Sequence, residues 1–162
     1  MHNYRDLEIY VEARRLAIEV HIMSLTLPKF ELYETGSQIR RSSKAVTALI
    51  VEGYARRRYK LDFIKYLIYA IAECDETMVH LDAIYDTHSL TNSELYQNLK
   101  NAYVALAKKI NKYTQWVEKE YKLVPRSPPT GYPWLPSHLA TWLTGYPATQ
   151  PPSHLPCRVY LS

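Results

Sequence analysis

Three consecutive arginines, Arg56, Arg57 and Arg58, stand between Tyr54 and Tyr59 and are followed by Lys60. Guanidinium groups stay charged at any physiological pH and present forked donors matched to phosphate oxygens, and a tyrosine ring is a surface on which a base can stack. This composition suits gripping a nucleic acid; it makes and breaks no bonds. Arg40, Arg41 and Lys44 add three cations earlier in the same predicted helix. Helix capping alone does not call for so many, because the dipole favours each cation at a helix end by ~0.3–1 kcal/mol. Two readings follow. In one, the arginines and lysines contact phosphates while Tyr54 and Tyr59 stack on bases. In the other the charges are solvated surface, and Arg41 and Glu52, at the two ends of the step Arg41, Ala45, Ala48, Glu52, pair with charges on a neighbouring helix.

Catalytic and metal chemistry find little support. Carboxylate-bridged metal sites in helical bundles use paired Glu-x-x-His units, and Glu76 to His80 is one residue too wide and has no counterpart. Cys74 falls on an apolar helical stripe between Ala70 and Met78, the place of a small core residue and not of a nucleophile. His21 and His80 read as structural helix residues. No glycine-rich phosphate loop and no nucleophile elbow occur. No cofactor is expected.

The elements that must position the cations are helices. Leu7, Val11, Leu16, Val20 and Met23 mark a first helix over about residues 4–27, closed by Pro28, with a turn over residues 28–36. Ile39, Val46, Ile50 and Gly53 form the inward stripe of a second helix that ends near residue 58. Gly53 lies inside this pattern, and its missing side chain is expected to let a neighbouring helix approach closely, with a bend before the third helix as the second choice. Phe63, Leu67, Ala70, Cys74, Met78, Leu81 and Ile84 keep a three-or-four rhythm for a third helix over residues 60–87. Thr91 and Glu94 have capping-box spacing, and Leu95, Leu99, Ala102, Leu106, Ile110, Tyr113 and Val117 carry a fourth helix to about residue 121. Four helices of ~30 Å with short connections predict an all-α, antiparallel up-down-up-down four-helix bundle. Seven of the 15 tyrosines, Tyr10, Tyr66, Tyr69, Tyr85, Tyr96, Tyr103 and Tyr113, recur along these helices, where an apolar body with a polar tip suits core and subunit packing.

Composition changes at residue 123. All 16 acidic residues precede it, whereas nine of the ten prolines lie beyond it, between Pro125 and Pro156. The phrases Gly131-Tyr132-Pro133 and Gly145-Tyr146-Pro147, each followed by a Pro-Ser-His-Leu run, form a short internal repeat without a packable face. Residues 1–122 are thus expected to be the bundle and 123–162 a proline-rich, disordered C-terminal tail. Each part carries a formal charge of +2, so the clustering of arginine, and not the net charge of +4, carries the binding signal. Cys74 and Cys157 suggest no disulfide framework. No signal peptide is evident, and the most apolar stretch, residues 64–72, is far short of the ~20 residues of a membrane span. A soluble, cytoplasmic protein fits best.

The run SQIRRSS, then IVEGYARRRYK, then DFIKYL and ECDE resembles the bacterial four-helix bundle family first noticed in intervening sequences of large-subunit ribosomal RNA genes. The resemblance covers residues 1 to about 122. The family's Ser-Gln-x-Arg-Arg start falls on Ser37, Gln38, Arg40 and Arg41, its Glu-Gly centre on Glu52 and Gly53, and its Phe-x-x-x-Leu continuation on Phe63 and Leu67. The chain departs from the pattern at Leu49, where Asn is usual, and at Ala45, where Ser is common. The resemblance implies the bundle fold. Distantly similar accessory variability determinant proteins of diversity-generating retroelements imply a homo-oligomer, a pentamer, that holds a reverse transcriptase and nucleic acid. The combined expectation is a non-enzymatic homo-oligomeric bundle. It binds RNA or DNA, or an enzyme acting on nucleic acid, through Arg40, Arg41, Lys44, Tyr54, Arg56, Arg57, Arg58, Tyr59 and Lys60. The alternative is a structural or protein-interaction bundle with no nucleic-acid partner.

Overall fold

The computed structural model describes residues 3–121, and the tail expected to be disordered lies outside these described residues. Asn3, the first described residue, makes a reciprocal cap: its side chain accepts from the Arg5 amide, and its own amide donates to Asp6 Oδ2 at 3.0 Å. A single 3₁₀ turn, Tyr4–Asp6, precedes α1, Glu8–Ser24. The helix expected over residues 4–27 is therefore shorter at both ends. The segment 28–36, expected as a turn, holds one short helix, α2, Lys29–Tyr33, entered from Pro28. Three long helices follow: α3, Thr35–Ala55; α4, Lys60–Asp86; and α5, Ser93–Glu120. Among the described residues every regular element is helical. The start of α5 corrects one detail, since Asn92 and not Thr91 is the cap, accepting from the Leu95 amide at 2.9 Å.

The helices run up and down in turn and close a ring in which α3 packs on α1 and α4, while α5 packs on α4 and returns to α1. The stripe Ile39, Val46, Ile50 and Gly53 is buried, as are Phe63, Leu67, Ala70, Cys74, Leu81 and Ile84. On α5, Leu99, Leu106, Ile110 and Val117 are buried with Tyr103. Val11 is the exception to the periodic pattern. It is 55% exposed because Ile9 and Ala13 take the inward places on the first turns of α1. Together with Ile18, Ile22 and Leu25 it forms an exposed apolar stripe spaced seven, four and three along that helix.

Most polar groups inside the bundle are satisfied locally or across helices, and among the described residues Thr47 Oγ1 and the Tyr103 hydroxyl are buried without a hydrogen-bond partner. The hydroxyls of Ser42 on α3 and Thr77 on α4 meet at 2.9 Å, with the Ile39 and Glu73 carbonyls as their further partners. Cys74 is fully buried beside them, and burial, then the charges of Asp75 and Glu73, push its thiol up to about 12. It is a core residue.

Gly53 sets how close α3 and α4 come at the end where they join. A Cβ placed there meets Tyr66 Cβ at 2.9 Å and Phe63 Cδ2 at 3.2 Å, both on the first turns of α4. The expected close approach is thus what the glycine provides.

Candidate nucleic-acid interface

The break between α3 and α4, residues 56–59, carries the arginine run around one end of the bundle. The Tyr59 amide donates to the Arg56 carbonyl at 2.7 Å, which folds the chain back within four residues. Lys60 then donates to the Glu118 carbonyl at 2.6 Å and so caps the C-terminal end of α5, where the helix dipole favours a cation. This contact brings the arginine turn and the last turns of α5 to the same end as Asn3 and the start of α1.

The three arginines differ in what they are already holding. Arg56 donates to Glu52 Oε1 at 3.1 Å, one helical turn earlier, and lies 5.0 Å from the Tyr66 ring centroid. Arg57 donates to the Tyr54 carbonyl at 2.9 Å and covers the Tyr54 ring at 4.2 Å. Arg58 is exposed and makes no hydrogen bond or ion pair with the described residues. Its charge is available outright, and those of its two neighbours are available in part.

Tyr59 is 63% exposed at the N-terminus of α4. Tyr54 is half-buried and meets Phe63 edge to face at 6.4 Å. Phe63 is the hub of an aromatic cluster, with Tyr113 at 6.1 Å and Tyr121 at 5.8 Å, both edge-on. Tyr113 in turn stacks on Trp116 at 5.6 Å with the rings 25° apart. Burial holds the Tyr113 hydroxyl above its ordinary value, so the ring stays neutral. Tyr54, Tyr113, Trp116 and Tyr121 border an open cleft of about 370 Å³ with Arg57, Asp6 and Asn3 on its walls. Tyr113 and Trp116 are functional candidates that the sequence reading passed over. Their i, i+3 spacing on the last turns of α5 was the available signal, since an up-down bundle brings that end beside the turn between α3 and α4.

The other expected cations lie elsewhere. Fifteen residues of α3, about 22 Å along the axis, separate Arg40 from the helix end at Ala55 that precedes the arginine turn, so Arg40, Arg41 and Lys44 form no single patch with that turn. Arg40 is half-buried, and its guanidinium donates to Ser24 Oγ at 3.1 Å and to the Leu32 carbonyl at 2.9 Å, tying α3 to the end of α1 and to α2. Arg41 is exposed and acts on Glu73 of α4. Burial and the Glu76 charge hold the Glu73 carboxyl above its ordinary value, and Arg41 opposes them. Lys44 stands at the rim of a groove of about 740 Å³ between α1 and α3, opposite Arg14, over a floor of Ala17, Ala48 and Val51.

Among the described residues no three His, Cys, Asp or Glu side chains converge as a metal site, and Glu76 and His80 meet in a local pair at 3.4 Å. Nor is any described helix long and apolar enough to cross a membrane.

Comparison with known proteins adds a family and a fold. The model of the family described as 23S rRNA-intervening sequence protein matches residues 5–112. Among solved structures the chain is similar to a protein of unknown function from the S23 ribosomal protein family of Bacteroides thetaiotaomicron. The two share 20% identity and a TM-score of 0.60, over 66% of this chain and 98% of that one. At that identity the likeness carries the fold. No curated protein matches.

Proposed function

The chain belongs to the 23S rRNA-intervening sequence protein family, and from that premise we propose that it is a non-enzymatic, homo-oligomeric bundle whose arginine-bearing end binds nucleic acid. The observation that carries the reading is the meeting, at one end of the bundle, of an unpartnered Arg58, partly free Arg56 and Arg57, and an open aromatic cleft. Fixed positive charge beside ring surfaces is the chemistry of phosphate contact with base contact. A closed oligomer repeats that end around its axis and multiplies its field. The exposed stripe of Val11, Ile18, Ile22 and Leu25 supports assembly, because a monomer rarely leaves such a continuous apolar row in water. By the resemblance the oligomer is a pentamer, and a reverse transcriptase is a candidate second partner of the same basic end. The same stripe is also what a purely structural bundle would show, so that reading remains the competitor.

Fluorescence anisotropy over a salt series separates the two. Each neutralised duplex phosphate releases condensed counterion with a slope near 0.9, so the parent should lose affinity steeply as salt rises. The variant R56Q/R57Q/R58Q should bind more weakly across all sequences and with a salt slope lower by about two, at unchanged helicity, because Gln is about as good a helix former as Arg. Absence of saturable binding by the parent at ~0.15 M salt would leave the structural reading standing.

A further inference from the structure

We propose that the cleft at the arginine-bearing end receives an unpaired nucleobase against Trp116, so that the nucleic acid held there is single-stranded. The inference rests on the nucleic-acid reading above and names the form of the ligand.

The first ground is the indole itself. Trp116 remains 47% exposed although it sits within an aromatic cluster, and it borders the open cleft. One neighbour, Tyr113, is stacked on it, and Tyr121 meets it edge-on at 6.0 Å. Tyr113 is braced in turn by the fully buried Phe63. The ring is therefore held in place before any ligand arrives, which spares the ordering cost that a loose surface aromatic incurs on binding.

The second ground is the division of charge. Asp6 lends the cleft a carboxylate, and its Oδ2 is committed to the Asn3 amide. With Arg57 to balance it, the lining has no net charge to draw a phosphate inside, and its remaining surface is mostly aromatic, which leaves the base as the part that enters. Arg58, exposed and without partners among the described residues, stands on the turn beside it as a phosphate contact. Arg57, held over Tyr54, joins the two zones. Stacking is indifferent to base identity, since every base has a π-face, so no sequence preference is expected from this cleft.

The third ground is the cost of the alternative. A base inside a duplex must be unpaired and unstacked before it can enter, at a few kcal/mol. The same contact is open to a single strand without that cost.

The test uses the full chain carrying Trp134→Phe and Trp142→Phe, which leaves Trp116 as the remaining tryptophan. Three ligands of about 12 nucleotides, within the ~4–16 that stacking sites span, are compared. They are an oligothymidylate, the same strand annealed to its complement, and an abasic deoxyribose-phosphate strand. The oligothymidylate should quench Trp116 emission and bind about 5- to 150-fold more tightly than the abasic strand. Trp116→Ala should abolish that advantage and leave abasic binding as it was, and Trp116→Phe should retain part of it. Equal binding of base-bearing and abasic strands overturns the proposal. So does a Trp116→Ala variant that weakens both alike, or a duplex bound more tightly than its single strand, and in each of these cases the nucleic-acid reading survives. If none of the three ligands binds at ~0.15 M salt, both fall together.

Discussion

At its N-terminal end α3 turns Arg40 inward, where Ser24 Oγ and the Leu32 carbonyl take its donors, while past the far end of that helix, about 22 Å along its axis, Arg58 meets nothing but solvent among the described residues. The residue type is the same and the charge is the same. What differs is whether the surroundings offer acceptors within reach. Around Arg40 the chain leaves α1 and makes the short helix α2, which places the Leu32 carbonyl and the Ser24 hydroxyl, itself donating to the His21 carbonyl, beside the guanidinium. At the other end Lys60 already covers the exposed carbonyl of Glu118, Glu52 takes Arg56, and Arg58 is surplus to the fold. A surplus charge is one that a ligand can use.

The sharpest way to break this contrast is to remove each arginine separately. Arg40→Met should cost about 2–4 kcal/mol, since charge-assisted hydrogen bonds contribute ~1.5–3 kcal/mol each and their partners are left half-buried. The midpoint of thermal unfolding should fall by roughly 10 °C. If Arg40→Met unfolds at the parent's temperature, the two ends of α3 are not employed differently and the contrast is wrong.

A smaller effect is expected from Gly53→Ala. The added Cβ must displace Tyr66 or Phe63, so the crossing of α3 and α4 has to loosen, at a cost of about 1–3 kcal/mol for overpacking, offset by up to ~1 kcal/mol of helix propensity. Urea denaturation should show a net loss. A gain in stability would mean that α4 yields easily and that Gly53 does not define the geometry of the arginine end.

The least effect on stability, and a definite one on binding, belongs to Arg58→Gln. An exposed charge away from any partner should change unfolding by no more than ~0.5 kcal/mol. The salt slope of nucleic-acid binding should nevertheless drop by about 0.7 on a single strand, or about 0.9 on a duplex, as expected for one phosphate contact. An unchanged slope alongside unchanged stability would make Arg58 idle in both respects and remove the contrast from the binding side.

Helical periodicity made most of the fold legible. Ile39, Val46 and Ile50, or Leu99, Leu106 and Ile110, repeat at the pitch of an α-helix, and no local competitor masks them. Val11 misled because α1 carries a second apolar row, and periodicity alone does not say which row faces the core. The short helix α2 escaped because five residues are too few to show a period. Asn92 was overlooked for Thr91 because two adjacent residues can both cap, and backbone geometry chooses between them. At the candidate site the sequence indicated the arginines, yet not what each was holding. That depends on acceptors as distant in the chain as Ser24 is from Arg40 or Glu118 is from Lys60. The cleft of Tyr54, Tyr113 and Trp116 is likewise a product of topology, joining the end of α3 to the end of α5.

Cys74 lies where α3, α4 and α5 bury their side chains, with no exposure and a thiol pushed up to about 12. The folded bundle thus closes it to electrophiles twice over, by access and by withholding the thiolate that reacts. Once Cys157 is replaced by Ser, the alkylation rate becomes a clock that advances only during excursions in which the helices part. If copies assemble, mass action makes those excursions rarer as the concentration rises, and the clock slows. One sulfur would then time both the opening of the bundle and its association.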